Sequence, residues 1–123
     1  PESIDHLSPE RYTIPLILTG GAVKEPQRIT AYGSQIDIAA TLLAQLGLPH
    51  DDFTFSKNIL NPSSPHFAFF TFPNIFGMVT ADNEVVFNCE SNTVAMDEGT
   101  HQGENLNKGK AYLQKLYDDL AKR

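Results

Sequence analysis

The chain has 123 residues, 41% of them hydrophobic and 20% charged, with 8 glycines and 8 prolines. That is enough for one modest core and too apolar for intrinsic disorder. A net charge of -6, from nine Lys and Arg against fifteen Asp and Glu, leaves no basic stripe to neutralise phosphates, so nucleic acid is not an expected partner. A single cysteine excludes an internal disulfide and a thiolate metal cluster. No apolar run approaches the roughly 18 residues of a membrane-spanning helix.

Residues 1–11 are polar and irregular, with breakers at Pro1 and Pro9. Tyr12 to Thr19 (YTIPLILT) is a dense apolar run ended by Gly20-Gly21. Its β-branched content predicts a strand over 12–19, with the well-paired part starting at Leu16, beyond Pro15. The glycine pair is a turn signal, since no helix start follows that would make it a phosphate cradle. Residues 34–46 (SQIDIAATLLAQL) predict a helix. Ser34 is its expected cap, Asp37 returns the bond in a variant capping box, Gly47 supplies the left-handed stop and Pro49 blocks continuation. Asp37, Thr41 and Gln45 form one narrow polar stripe, and the rest of the circumference is apolar from Ile36 to Leu46. Such a helix is normally enclosed by other elements.

Beyond Pro49, Phe53 and Phe55 alternate with polar residues, and Asn61-Pro62-Ser63-Ser64-Pro65 makes a turn. Four short strands are expected at 66–72, 77–80, 85–89 and 93–96. Pro73-Asn74, Asp82-Asn83 and Ser91-Asn92 separate them, a spacing that predicts an antiparallel meander. Residues 97–105 (DEGTHQGEN) read as a polar connector. A final helix over 106–122 is expected to bury Leu113, Leu116, Tyr117 and Leu120, with Lys108, Lys110, Asp118 and Asp119 outward.

Chemistry-bearing motifs are scarce. The chain has no G-x-S-x-G, Walker loop or G-x-G-x-x-G. His6, His50, His66 and His101 lack ligand spacing. His50-Asp51-Asp52 reads as a solvated turn, His66 as a packed or edge histidine opening a strand, and Ser34 with Asp37 as a cap rather than a nucleophile pair. A small metallohydrolase would need ligands among His6, His50 and His101. Cys89, ending the run Val85-Val86-Phe87-Asn88, reads as a buried small hydrophobe because no cation neighbours it in sequence. The loop at 73–77, carrying Asn74 and Phe76, is the one candidate for bordering a substrate cleft. No catalytic, cofactor-binding or metal-binding residue is assigned within the chain.

Two features do not close within these residues. The run Leu16–Leu18 has the continuous apolarity of a strand inside a parallel sheet, yet no second strand of that kind is present. The helix at 34–46 has more apolar circumference than one small sheet covers. Leaving two Leu-sized side chains exposed forfeits roughly 3–6 kcal/mol, a large part of a domain's stability. Partners lying upstream in a larger protein, or oligomerisation of the chain, would cover them. The competing reading is a self-contained binding or assembly module with the aromatic strand at 66–72 as an adhesive edge.

Arg11-Tyr12-Thr13-Ile14-Pro15 resembles the R-(F/Y)-x-I-P strand that follows the active site in sulfatases. Ser34-Gln35-Ile36-Asp37-Ile38-Ala39-Ala40-Thr41-Leu42-Leu43, then Leu46-Gly47-Leu48-Pro49, is similar to the family helix S-x-x-D-(I/L)-x-P-T-(L/I)-L, with Ala40 in place of its proline. Phe55-Ser56-Lys57-Asn58-Ile59-Leu60 is similar to the F-G-K-D-L-L turn that comes next. Over residues 11–60 the chain thus resembles the alkaline-phosphatase superfamily, nearest the lipoteichoic-acid-synthase-like, phosphoglycerol-transferase branch of the sulfatases. The resemblance implies an α/β, alkaline-phosphatase-like C-terminal portion. Residues 1–60 would end the main α/β layer, and 61–123 would form an antiparallel subdomain with a terminal helix. It further implies an extracytoplasmic, membrane-anchored bacterial parent in which a divalent metal activates a nucleophile towards phosphate or sulfate esters. The family's Asp-His-Gly ligand motif precedes the strand matched by 12–19. Here Asp5-His6 is followed by Leu7 instead of Gly, so no ligand is carried over.

Overall fold

The computed structural model describes residues 7–21 and 23–123; Asp5 and His6 lie outside them. Four strands form one antiparallel meander in the order β1-β2-β3-β4: β1 Ala68–Phe72, β2 Ile75–Val79, β3 Asn83–Asn88 and β4 Thr93–Gly99. The turn chemistry sets the register. Pro73 and Asn74 link β1 to β2 with Phe72 opposite Ile75, and Asn74 takes the left-handed φ of 64° that the second position of a type II turn requires. Asn88 Oδ1 accepts the Glu90 and Ser91 N–H groups at 2.9 and 3.1 Å, closing the β3–β4 turn as an Asx turn. Opposite β3, Val86 pairs with Met96 but Phe87 with Val94, so Ala95 is a bulge on the edge strand. The polar stretch at 97–105 is no free connector. β4 continues to Gly99 and α2 (Glu104–Lys122) begins two residues earlier than expected.

Directly paired residues share a face. Phe69, Phe76, Met78, Val85 and Phe87 therefore look to one side, and Phe70, Gly77, Val79 and Val86 to the other. All five residues of β2 are buried, with a strand on either edge and cover on both faces. On the first face α2 crosses β2 and β3, with Gly109 seated against the Phe76 ring. On the second face the Phe70 ring lies flat on Gly77, and Tyr12 stacks on Phe70 with centroids 4.1 Å apart and planes 15° apart. Phe76 is therefore core rather than a cleft-bordering loop residue: it is 1% exposed.

Polar bonds fix the start of α2. Asp97 Oδ1 accepts the Gly103 N–H at 3.1 Å and the Asn83 amide at 2.7 Å. Buried Asn105 donates its backbone N–H to Asn83 Oδ1 at 2.9 Å and its side-chain amide to Thr80 Oγ1 at 3.0 Å. The expected apolar face of α2 is only partly used. Asn105 and Gly109 are buried and Leu113 and Leu116 are half-buried, while Tyr117 and Leu120 are 61% and 68% exposed. Tyr112, not Tyr117, is the helix's aromatic anchor, touching Phe55, Phe67 and Phe69.

The first half differs most from expectation. A short 3-10 turn, Pro9–Tyr12, precedes residues 13–19, which pair with no strand. A strand exists only through a ladder, and the meander uses its own strands on each other. Leu16, Ile17 and Leu18 are consequently exposed, Ile17 by 78%. The predicted helix is α1, Asp37–Gln45, shorter at its start because Gln35 and Ile36 form a turn.

Gly77→Ala places a methyl where the Phe70 ring lies, lifting that ring and Tyr12 off the sheet. The expected cost is about 1–3 kcal/mol, read as a lower urea midpoint at unchanged slope. Gly109→Ala should also destabilise, although Ala outranks Gly by roughly 1 kcal/mol in a helix, because its methyl meets Phe76.

Candidate functional site

A dense polar cluster joins α1 to the loop at 53–60. Asp37, wholly buried, accepts the Ser34 N–H on Oδ2 at 2.7 Å and the Lys57 N–H on Oδ1 at 3.0 Å. The Lys57 ammonium pairs with the same carboxylate and lies 4.1 Å from the centroid of the Phe67 ring, a site that suits a cation on the ring's negative face. One turn on, Thr41 Oγ1 donates to the Asp37 carbonyl at 2.7 Å and accepts the Ile59 N–H at 3.1 Å. Ser56 Oγ accepts the Ala40 N–H at 2.9 Å, tying the loop to the start of α1.

The capping box is half formed. Asp37 returns its bond to Ser34, but the Ser34 hydroxyl does not cap the helix. It accepts the Phe69 N–H at 2.7 Å and donates to the Phe69 carbonyl at 3.2 Å, filling both outward backbone groups of that residue on edge strand β1. Of the stripe Asp37, Thr41 and Gln45, the first two face inward beside buried Ala40, while Gln45 is exposed. Ile36, Leu42 and Leu46 are turned out, Leu46 by 71%. Two buried polar side chains that must be hydrogen-bonded outweigh the apolar majority in choosing the face.

This cluster clamps the 53–60 loop to α1. The buried Asp37 carboxylate accepts three bonds, two from backbone N–H groups and one from the Lys57 ammonium. Tyr112 reaches the Phe55 carbonyl at 3.5 Å. Burial, and then the Asp37 charge, raises its phenol pKa above 10.0.

The sequence candidates do not converge. His50 borders an open depression beside Phe53 and Lys57, His66 Nε2 lies 3.2 Å from the Asn61 carbonyl, and His101 is 3.8 Å from Asp82 across the β2–β3 turn. Among the described residues no group of three or more His, Cys, Asp or Glu side chains could hold a metal. Cys89 is exposed rather than buried: it follows β3 in the turn, where its N–H is held by the Asn74 carbonyl at 2.7 Å. Asn74 is tied at 2.9 Å to Glu90, bracing one turn against the next. No helix among the described residues is long and apolar enough to cross a membrane. Comparison with protein-family models, curated proteins and solved structures finds no match to this chain.

Asp37→Asn strands the Lys57 ammonium and should cost about 3 kcal/mol, the low end for a broken buried pair, since Lys57 can swing towards water. Lys57→Met should cost less, because the carboxylate keeps two backbone donors; chemical unfolding of both variants checks the order. The raised phenol of Tyr112 favours the folded state below the unfolded pKa near 10 and loses that contribution as pH rises through the folded value. Tyr112→Phe should therefore flatten the alkaline fall in stability above pH 10, measured against wild type.

Proposed function

We propose that the chain is the C-terminal structural part of a sulfatase-family hydrolase or phosphoglycerol transferase, of alkaline-phosphatase-like fold. Its metal-activated nucleophile would lie in a preceding segment. The observation that carries this reading is the apolar surface of residues 14–18 and of α1, exposed at Ile14, Leu16, Ile17, Ile36, Leu42 and Leu46. These six large apolar side chains left in water are the kind of surface that a further layer covers. A second support is physical. Ser34, Asp37, Thr41 and Lys57, from the two motif stretches after the R-(F/Y)-x-I-P run, belong to one bonded cluster. Their spacing therefore has a reason, which is to hold α1 with Leu42 and the flanking Leu46 outward for a further layer.

In this reading residues 13–19 become a strand of the parent's main sheet and the meander closes the domain behind it. The described residues offer no ligand set for the implied divalent metal, whose ligands belong to the preceding segment, and no step is routed through this chain. The parent's substrates are phosphate or sulfate esters and its location is the cell envelope, anchored in the membrane. The 123 residues alone are inactive.

Hydrogen exchange tests the proposal. In the longer polypeptide the amides of Leu16 to Leu18 should exchange at least about a thousandfold more slowly than in the isolated chain, as for a strand opening only globally. The longer protein should also cleave a nitrophenyl phosphate or sulfate only with a divalent metal, and the isolated chain should cleave neither. Equal exchange in the two forms, or no metal-dependent cleavage by the longer one, overturns it.

A further inference from the structure

Independently of that reading, we propose that the open depression at residues 50–64 binds one ring of a neutral sugar. Its volume of about 320 Å3 is at the bottom of the roughly 300–1,000 Å3 range of small-molecule sites, the scale of a single ring rather than an extended chain. Phe53 supplies the apolar wall. It sits where two turns meet, its N–H on the His50 carbonyl at 3.1 Å and its own carbonyl holding the Ser56 N–H at 2.8 Å. It is 48% exposed, whereas Phe55 packs edge-on against Tyr112 at 5.7 Å. A fixed, outward aromatic face beside polar groups suits the C–H face of a pyranose.

The polar lining has the complementary hydrogen-bonding set. Asn58 Oδ1 is committed to the Leu60 N–H at 3.0 Å and Asn61 Oδ1 to the Ser63 N–H at 3.0 Å. Each bond fixes its side chain and leaves the amide NH2 as a donor. Asp51, also lining the depression, is an acceptor able to take two hydroxyls, and Thr54 and Ser64 add hydroxyls of their own. The lining argues for a neutral ligand. Lys57, the lysine at the rim, gives its ammonium to Asp37, so it is not spare to neutralise a phosphate, sulfate or carboxylate, and Asp51 repels one; His50, which also lines the depression, adds ring nitrogens that can hydrogen-bond a hydroxyl. The clamp on α1 holds the loop through Ser56, Lys57 and Ile59, so little ordering is required on binding.

The test is a 15N–1H NMR titration of the chain with the methyl glycosides of glucose, galactose and N-acetylglucosamine, and separately with inorganic phosphate. The expected result is saturable shifts confined to residues 50–64 with at least one glycoside, at affinities on the order of millimolar, and none with phosphate. Phe53→Ala and Asp51→Asn, both at exposed positions, should each weaken that binding about tenfold or more with the remaining resonances unmoved. Absence of saturable shifts with all three glycosides, equal shifts with phosphate, or undiminished binding by both variants overturns the proposal.

Discussion

A carboxylate with no access to water is the constraint around which the first half of this molecule is arranged. Burying a charge is tolerable only when every lone pair that matters is met, and Asp37 is met by Ser34, by the Lys57 backbone and by the Lys57 ammonium. Those three donors come from both sides of α1 in the chain. Satisfying one side chain therefore folds the 53–60 loop back over the helix and fixes which way the helix is rotated. Thr41 repeats the arrangement one turn later. Leu42 is then turned out, while Ala40 is buried with Asp37 and Thr41, and Ile38 and Leu43 are half-buried. The inner face of α1 is mixed, and its polar members face inward because their hydrogen bonds must be met.

The antiparallel half was legible because its determinants are local. Turns of two to four residues, alternating side chains and Asn at left-handed positions act over a few residues, and all four strands occur near where alternation puts them. What alternation could not show is where polar residues serve the interior. Asn83 reads as a turn residue and Asn105 as part of a solvated connector. Both are buried because they bridge Thr80, Asp97 and the start of α2, contacts 14 to 25 residues apart in sequence. Likewise Tyr117 and Leu120 have the periodicity of a buried face, but Gly109 and Tyr112 decide where the helix meets the sheet.

The run at 12–19 carries strand propensity without a strand. Propensity describes what a segment does once it meets a neighbouring edge, and residues 13–19 pair with neither outer strand of the meander, β1 or β4. The clamp was half visible: Asp37 and Thr41 stand four apart and Ser34 precedes them at capping distance. Whether such a stripe faces water or the interior depends on Lys57 and Ile59, 20 and 18 residues from their partners, and no periodicity reports that. Phe53 and Phe55 look equivalent in the sequence. The hydrogen-bonded turns alone separate the inward ring from the outward one.

Gly77 and its neighbour Phe76 give β2 a property that neither strand order nor burial expresses. Through adjacent residues of one strand, a column of contacts runs across the whole thickness of the sheet: Gly109 of α2, Phe76, then Gly77, Phe70 and Tyr12. The glycines thin the slab at that point, so the helix on one side and the 3-10 turn on the other press on a shared keystone. Elements nearly a hundred residues apart along the polymer are thereby mechanically joined, and loosening either one unseats the same strand.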